Sequence, residues 1–175
     1  MSAIRKPIGY VRVSSSNHQE NDVSLDAQQQ IIYNYCIKKL LKLPIMISEI
    51  ISGHKNDTLI KFIMINNVKE SDIIIYDVSR FGRNFDRVKD TLLKIISKCN
   101  RIHFIKEEII IDMYNYLINN SEWTKFINSL KNVELESQKI SEEIKLLKQY
   151  QKRTGLNNVS KIMNQSLKKF LEESK

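Results

Sequence analysis

The chain has few of the residues that punctuate, cross-link or anchor a protein. Its 175 residues include two cysteines, two prolines and four glycines. Cys36 and Cys99 stand far apart, and His18, His54 and His103 are scattered, so no spacing suits a metal site or a redox pair. The two thiols read as reduced core residues of a cytoplasmic protein. So few glycines and prolines argue against an all-β fold, which needs many tight turns. They also exclude collagen-like and low-complexity chains. No run approaches the roughly 18 apolar residues of a membrane-spanning helix, and the opening Met1–Pro7 lacks the hydrophobic stretch of a signal peptide. A Walker loop and a glycine-rich dinucleotide turn are both missing. No His–Asp pair is placed to serve a protease-type triad, and no carboxylate cluster suggests a two-metal nuclease.

The composition that remains is that of a folded protein, with 42% hydrophobic and 27% charged residues. The net charge is +8, and its distribution is uneven. From Lys145 to the end there are eight basic residues against two acids, which leaves a small excess for the rest of the chain. Positive charge gathered at one end is the footprint of a polyanion partner. Lys145, Lys148, Lys152, Arg153, Lys161, Lys168 and Lys169 are the candidate contacts with such a polyanion. The plainer reading is a solubilising tail. The abundance of isoleucine, lysine and asparagine (27, 21 and 16), with two alanines, suggests an AT-rich coding sequence of the kind found in viruses and mobile elements.

Periodicity gives an alternating order of elements. Ile8–Val13 reads as a strand and Ser14–Val23 as a loop. Ser24 is a helix cap, followed by a stripe through Leu25, Gln28, Ile31, Ile32, Tyr35, Cys36, Leu40 and Leu41. Strands are expected at Ile45–Ile51, Asp72–Val78 and Arg101–Lys106, with helices around Leu59–Val68 and Phe85–Cys99. Residues 107–120 show no clear period, although Ile109–Ile111 has the composition of a fifth short strand. This order predicts an α/β fold with a mainly parallel sheet of four or five strands flanked by helices. Ligands of such sheets bind beyond the carboxyl ends of the strands, here at Ser14–Val23, Ser52–Thr58 and Ser79–Asn84.

From Ser121 to Arg153 no proline or glycine interrupts a run of helix formers, which predicts a helix about 50 Å long. Phe126, Leu130, Val133, Ile140, Ile144 and Leu147 step along it at near-heptad spacing and predict a seam for a partner helix. The domain reading is residues 1–118 as an α/β unit, 119–153 as an oligomerisation and DNA-contacting helix, and 154–175 as a basic tail with a short helix over Val159–Leu171.

Arginine is scarce, at seven residues against 21 lysines. Three of the seven, Arg12, Arg80 and Arg83, fall at two strand ends on one edge of the sheet. The arginine fork matches phosphate oxygens and keeps its charge. Ser14 lies two residues after Arg12, on the same face by strand alternation. A hydroxyl among guanidinium groups suits attack on a phosphodiester, because the cations stabilise the charge of the transition state.

Gly9-Tyr10-Val11-Arg12-Val13-Ser14-Ser15, then Gln19, then Ser24-Leu25-Asp26-Ala27-Gln28 closely resembles the opening of the serine recombinase family of resolvases, invertases and serine integrases. Tyr76-Asp77-Val78-Ser79-Arg80-Phe81-Gly82-Arg83-Asn84 resembles its second active-site motif, and Glu134 to Glu143 its dimerisation helix. The resemblance implies a resolvase-like catalytic domain in which Ser14 attacks the scissile phosphate. That attack leaves a 5′-phosphoserine link and a free 3′-hydroxyl, with no cofactor and no metal. Arg12, Arg80 and Arg83 match the phosphate-binding arginines, and Gln19 matches a loop glutamine with one residue inserted. Gln28 is a supporting match. Ser79 stands where many members have aspartate, with Asp77 as the available substitute. Lys55 is the one basic residue where the family's middle loop supplies an arginine. The implied partners are double-stranded DNA and a homodimer that forms a synaptic tetramer. A second reading is an impaired or truncated recombinase-like DNA-binding protein that modulates a full-length or transposon-encoded partner. A third is an α/β phosphate binder unconnected with DNA.

Overall fold

The structure, a computed structural model, describes residues 6–14, 23–51 and 58–154. The elements run β1 (Lys6–Ser14), α1 (Leu25–Lys38), β2 (Ile45–Ile51), α2 (Thr58–Ile65), β3 (Ser71–Ile75), α3 (Val78–Phe81), α4 (Phe85–Ile96), β4 (Arg101–Phe104), β5 (Ile109–Ile111), α5 (Met113–Leu117) and α6 (Ser121–Thr154). The five strands form one sheet in the order β2-β1-β3-β4-β5. β1 pairs in parallel with both β2 and β3, and β3 with β4, while β5 returns antiparallel on β4. The expected mainly parallel α/β sheet is therefore present, with the Ile109–Ile111 run as its fifth strand. No helix among the described residues is long and apolar enough to cross a membrane.

Both faces of the sheet are covered, as the unbroken Ile73-Ile74-Ile75 run requires. On one face Ile8, Tyr10, Ile73, Ile75, Ile102 and Phe104 pack with Val88, Leu92, Ile95 and Ile96 of α4. On the other, Val11 and Ile74 meet Ile32 and Cys36 of α1. The side chain of Ser24 caps α1 by accepting the Ala27 N–H at 3.2 Å.

Several boundaries differ from the expectation. β3 stops at Ile75 rather than Val78, because Asp77 caps a four-residue helix in what reads as strand and loop. α1 ends at Lys38, which leaves Leu40 almost fully exposed at a positive φ of 55° instead of on the apolar stripe. α4 ends at Ile96, so Cys99 is exposed in the following turn and is not a core thiol.

The chain divides into two compact units, Met1–Glu134 and Leu135–Lys175. Within the first, the start of α6 packs on the sheet. Phe126 lies against Phe104 with ring centroids 5.4 Å apart and against Trp123 at 5.6 Å. Phe126 and Leu130 are fully buried, and Val133 packs against the same cluster. The predicted intermolecular seam is thus corrected over this stretch, where the apolar period is used inside the domain. In the second unit Ile140 and Ile144 are exposed and Leu147 is half-buried. Residues 155–175, including Lys161, Lys168, Lys169 and the expected Val159–Leu171 helix, lie outside the described residues.

A buried polar network sits on the α1 side of the sheet. Arg101 Nε donates to Asp72 Oδ1 at 2.7 Å, His103 Nε2 lies 3.3 Å from the same oxygen, and the Tyr35 hydroxyl is 3.0 Å from His103 Nδ1. Burial opposes the charge on Asp72. Hydrogen bonds from His103 and Arg101, with the positive charge of Arg101 beside them, outweigh it and hold the carboxyl at about 2, below its ordinary 3.8. A depressed carboxylate stabilises the fold above its unfolded pKa and loses that contribution as pH falls through its folded value. Asp72→Asn is therefore expected to lower stability at neutral pH by about 2 kcal/mol. In denaturant titrations at stepped pH, the gap to wild type should narrow between pH 3.8 and about 2. A gap that stays constant over that range would refute the assignment.

Candidate active site

The site forms where β1 outruns β3. The β1–β3 ladder ends at Tyr10 opposite Ile75, while β1 continues beside β2 until Ser14 meets Ile51. The last residues of β1 consequently have no strand on the β3 side, and their peptide groups need other partners. Gln28, fully buried on α1, supplies those of Arg12. Its Oε1 accepts the Arg12 N–H at 3.1 Å, and its Nε2 donates to the Arg12 C=O at 3.0 Å and to the Val23 C=O at 2.7 Å. One side-chain amide thus replaces a rung of the missing ladder and fixes the Arg12 backbone.

The β1–β2 register pairs Arg12 with Glu49, a residue the sequence reading did not select. Paired residues face the same side of a sheet, and Tyr10 joins them two positions earlier. The Tyr10 hydroxyl donates to Glu49 Oε2, and Thr58 Oγ1 donates to Glu49 Oε1 at 2.5 Å. Burial raises the Tyr10 phenol, and the Glu49 hydrogen bond and charge raise it further. Tyr10 is both buried and a clamp on this carboxylate.

The second arginine segment is held by its own aspartate. Asp77 Oδ1 accepts the Arg80 N–H at 3.0 Å and the Ser79 hydroxyl at 2.6 Å, and Arg80 Nε lies 3.8 Å away. Phe81 anchors the turn on Phe104, with ring centroids 5.9 Å apart. Asn84 caps α4 by accepting the Arg87 N–H at 3.0 Å. From α6, Glu134 Oε1 accepts the Phe85 N–H at 3.1 Å. From the turn between β4 and β5, Glu107 Oε1 accepts the Val78 N–H at 3.2 Å. Neither glutamate was singled out in the sequence.

These elements bring three arginines into one field. Burial lowers the Arg12 pKa most, and the positive charges of Arg83 and Arg80 lower it further against the opposing pull of Tyr10 and Glu49. Arg80 is largely buried and Arg83 exposed. Arg12 Nη1 is buried and has no hydrogen-bond partner among the described residues. Like charges brought together with a buried donor to spare form an arrangement that an oxyanion stabilises.

The remaining expected residues are placed as follows. Ser14 is the last residue of β1, and its side chain lies outside the described ones. Gln19 and Lys55 lie outside the described residues altogether. Lys145, Lys148 and Lys152 are exposed along the distal part of α6, and the Arg153 side chain is not among those described.

Comparison with known proteins agrees with this architecture. The sequence profile of the family described as "Resolvase, N terminal domain" matches residues 7–157. No curated protein sequence gives a significant match. Among solved structures, the N-terminal catalytic domain of TP901-1 integrase is similar at 18% identity and a TM-score of 0.51, covering 78% of this chain and 99% of that one. A resolvase family site-specific recombinase from Streptococcus pneumoniae is similar at 17% identity and a TM-score of 0.53, covering 84% and 99%. At such identities the likeness is one of fold.

Proposed function

Because the chain belongs to the resolvase N-terminal domain family of serine recombinases, we propose that it breaks and rejoins DNA through Ser14. In the proposed step the Ser14 oxygen forms a bond to the scissile phosphorus while the bond from phosphorus to the 3′ oxygen breaks. The products are a 5′-phosphoseryl link and a free 3′-hydroxyl, and reversal of the attack rejoins the strand. The phosphoester conserves the energy of the broken bond, so rejoining draws on no nucleotide.

The observation that carries this reading is the convergence of Arg12, Arg80 and Arg83, with Arg12 Nη1 buried and unpartnered among the described residues. A phosphate oxygen would satisfy that donor. The two other guanidinium groups would share the extra charge that develops as the nucleophile adds. Gln28 holds the Arg12 peptide, while Tyr10 and Thr58 hold Glu49 beside Arg12. Gln19 and Lys55 are proposed to complete the site from the adjoining loops. Exposed Ile140 and Ile144, with Leu147, support a homodimer contact along α6 that a synaptic tetramer would extend. Lys145, Lys148, Lys152 and Arg153, with Lys161, Lys168 and Lys169, are proposed to contact the DNA backbone.

The test uses supercoiled plasmid carrying the sequences that flank the protein's own coding region. After quenching in denaturant, protein should be linked to 5′ ends, and peptide mapping should place the nucleotide on Ser14. Because the arginines supply the positive charge, the yield should be unchanged by a metal chelator. Adduct on another residue, or none at any flanking sequence, refutes the proposal. Loss of adduct with chelator refutes its metal-free form.

A further inference from the structure

The turn that bears Arg80 is too short to hold itself. α3 has four residues, and its closing bond runs from the Gly82 N–H to the Val78 C=O at 3.2 Å. One turn of helix fixes several torsions for one hydrogen bond and is unstable alone. Two carboxylates from different elements grip it instead. Asp77 takes the Ser79 hydroxyl and the Arg80 N–H, and Glu107 takes the Val78 N–H.

Glu107 has a further peculiarity. Its second oxygen, Oε2, is buried and has no hydrogen-bond partner among the described residues. Burial raises the pKa of this carboxyl, and the negative charge of Asp77 raises it further. The Val78 N–H and Lys106 pull it the other way. The neutral acid keeps the Val78 bond, because its carbonyl oxygen still accepts. It also leaves one negative charge fewer beside the arginine turn.

Resting on the reading of the arginine cluster as a phosphate site, we infer that Glu107 is a positioning residue for that site. It fixes the Arg80 turn through the Val78 peptide, and its charge state sets how strongly the cluster holds an anion. The charged groups acting on it are Asp77 at the start of α3 and Lys106 beside it in the chain.

Inorganic sulfate is the probe, because its charge is constant above the carboxylate range. Binding to the full chain is followed through the arginine Nε–H resonances at stepped pH. Wild-type affinity should fall as pH rises through the raised Glu107 pKa. Glu107→Gln keeps an acceptor for Val78 and has no charge to gain, so it should bind at least as tightly as wild type and lack that pH step. Glu107→Ala leaves the Val78 N–H without a partner and should bind about tenfold more weakly. If the alanine variant does not fold, the pH step in wild type and its loss in the glutamine variant decide the matter alone. A glutamine variant that weakens as much as alanine and retains the step overturns the inference.

The adduct assay run alongside separates this inference from the reading beneath it. Wild-type adduct together with unchanged sulfate binding and pH response in both variants removes Glu107 and leaves the recombinase reading standing. No wild-type adduct, with the sulfate order intact, removes the reading and keeps Glu107 as the residue that sets the anion site.

Discussion

Arg12→Lys is expected to slow covalent adduct formation about 10²–10³-fold while leaving the protein folded, the usual effect of losing one preorganised donor at a developing oxyanion. Two physical differences produce the loss. The guanidinium fork offers several donors in fixed directions, whereas an ammonium offers a point charge on a flexible stem. The second difference is retention of charge. Burial, Arg83 and Arg80 all lower the pKa at this position, and arginine starts high enough to stay protonated. Lysine starts near 10.4, and under the same pressures it loses its proton far more readily. The variant should therefore recover part of its rate as pH is lowered. Single-turnover adduct formation at stepped pH reads both effects. A lysine variant within about threefold of wild type would remove Arg12 from the reacting phosphate.

The arginines were legible in the sequence because topology alone brings them together. Alternating strands and helices form a parallel sheet, ligands meet its carboxyl edge, and Arg12, Arg80 and Arg83 sit at two strand ends on that edge. Gln28 was visible as a supporting residue, but its role depends on β3 ending at Ile75, and the sequence reads as strand through Val78. The alternation in Tyr76-Asp77-Val78 is genuine; the Asp77 hydrogen bond to the Arg80 N–H overrides it and turns the chain into α3. Glu49 stayed hidden because in an edge strand it reads as an ordinary outward polar residue. Only the register that sets it opposite Arg12 gives it meaning. Glu107 lies in a stretch without period, and a carboxylate that acts through another element's peptide N–H leaves no local signal.

The same limit applies to α6, where one apolar period serves two kinds of packing. A stripe at three- and four-residue steps suits a sheet of the same chain as well as a partner helix, and spacing cannot separate the two. Burial separates them. Phe126→Ala is expected to destabilise the catalytic unit by about 3–5 kcal/mol, the range for emptying a well-packed phenylalanine site. Phe126 is fully buried within that unit, between Phe104 and Trp123, so the loss should be independent of protein concentration in denaturant titrations. Ile140→Asp acts on the exposed part of the stripe. It is expected to weaken self-association in sedimentation while the unfolding of the catalytic unit stays near wild type, since Ile140 adds nothing to that unit's core. If Phe126→Ala instead dissociated an oligomer and left the monomer's stability intact, the division of α6 at Glu134 into a core segment and an oligomerisation segment would be wrong.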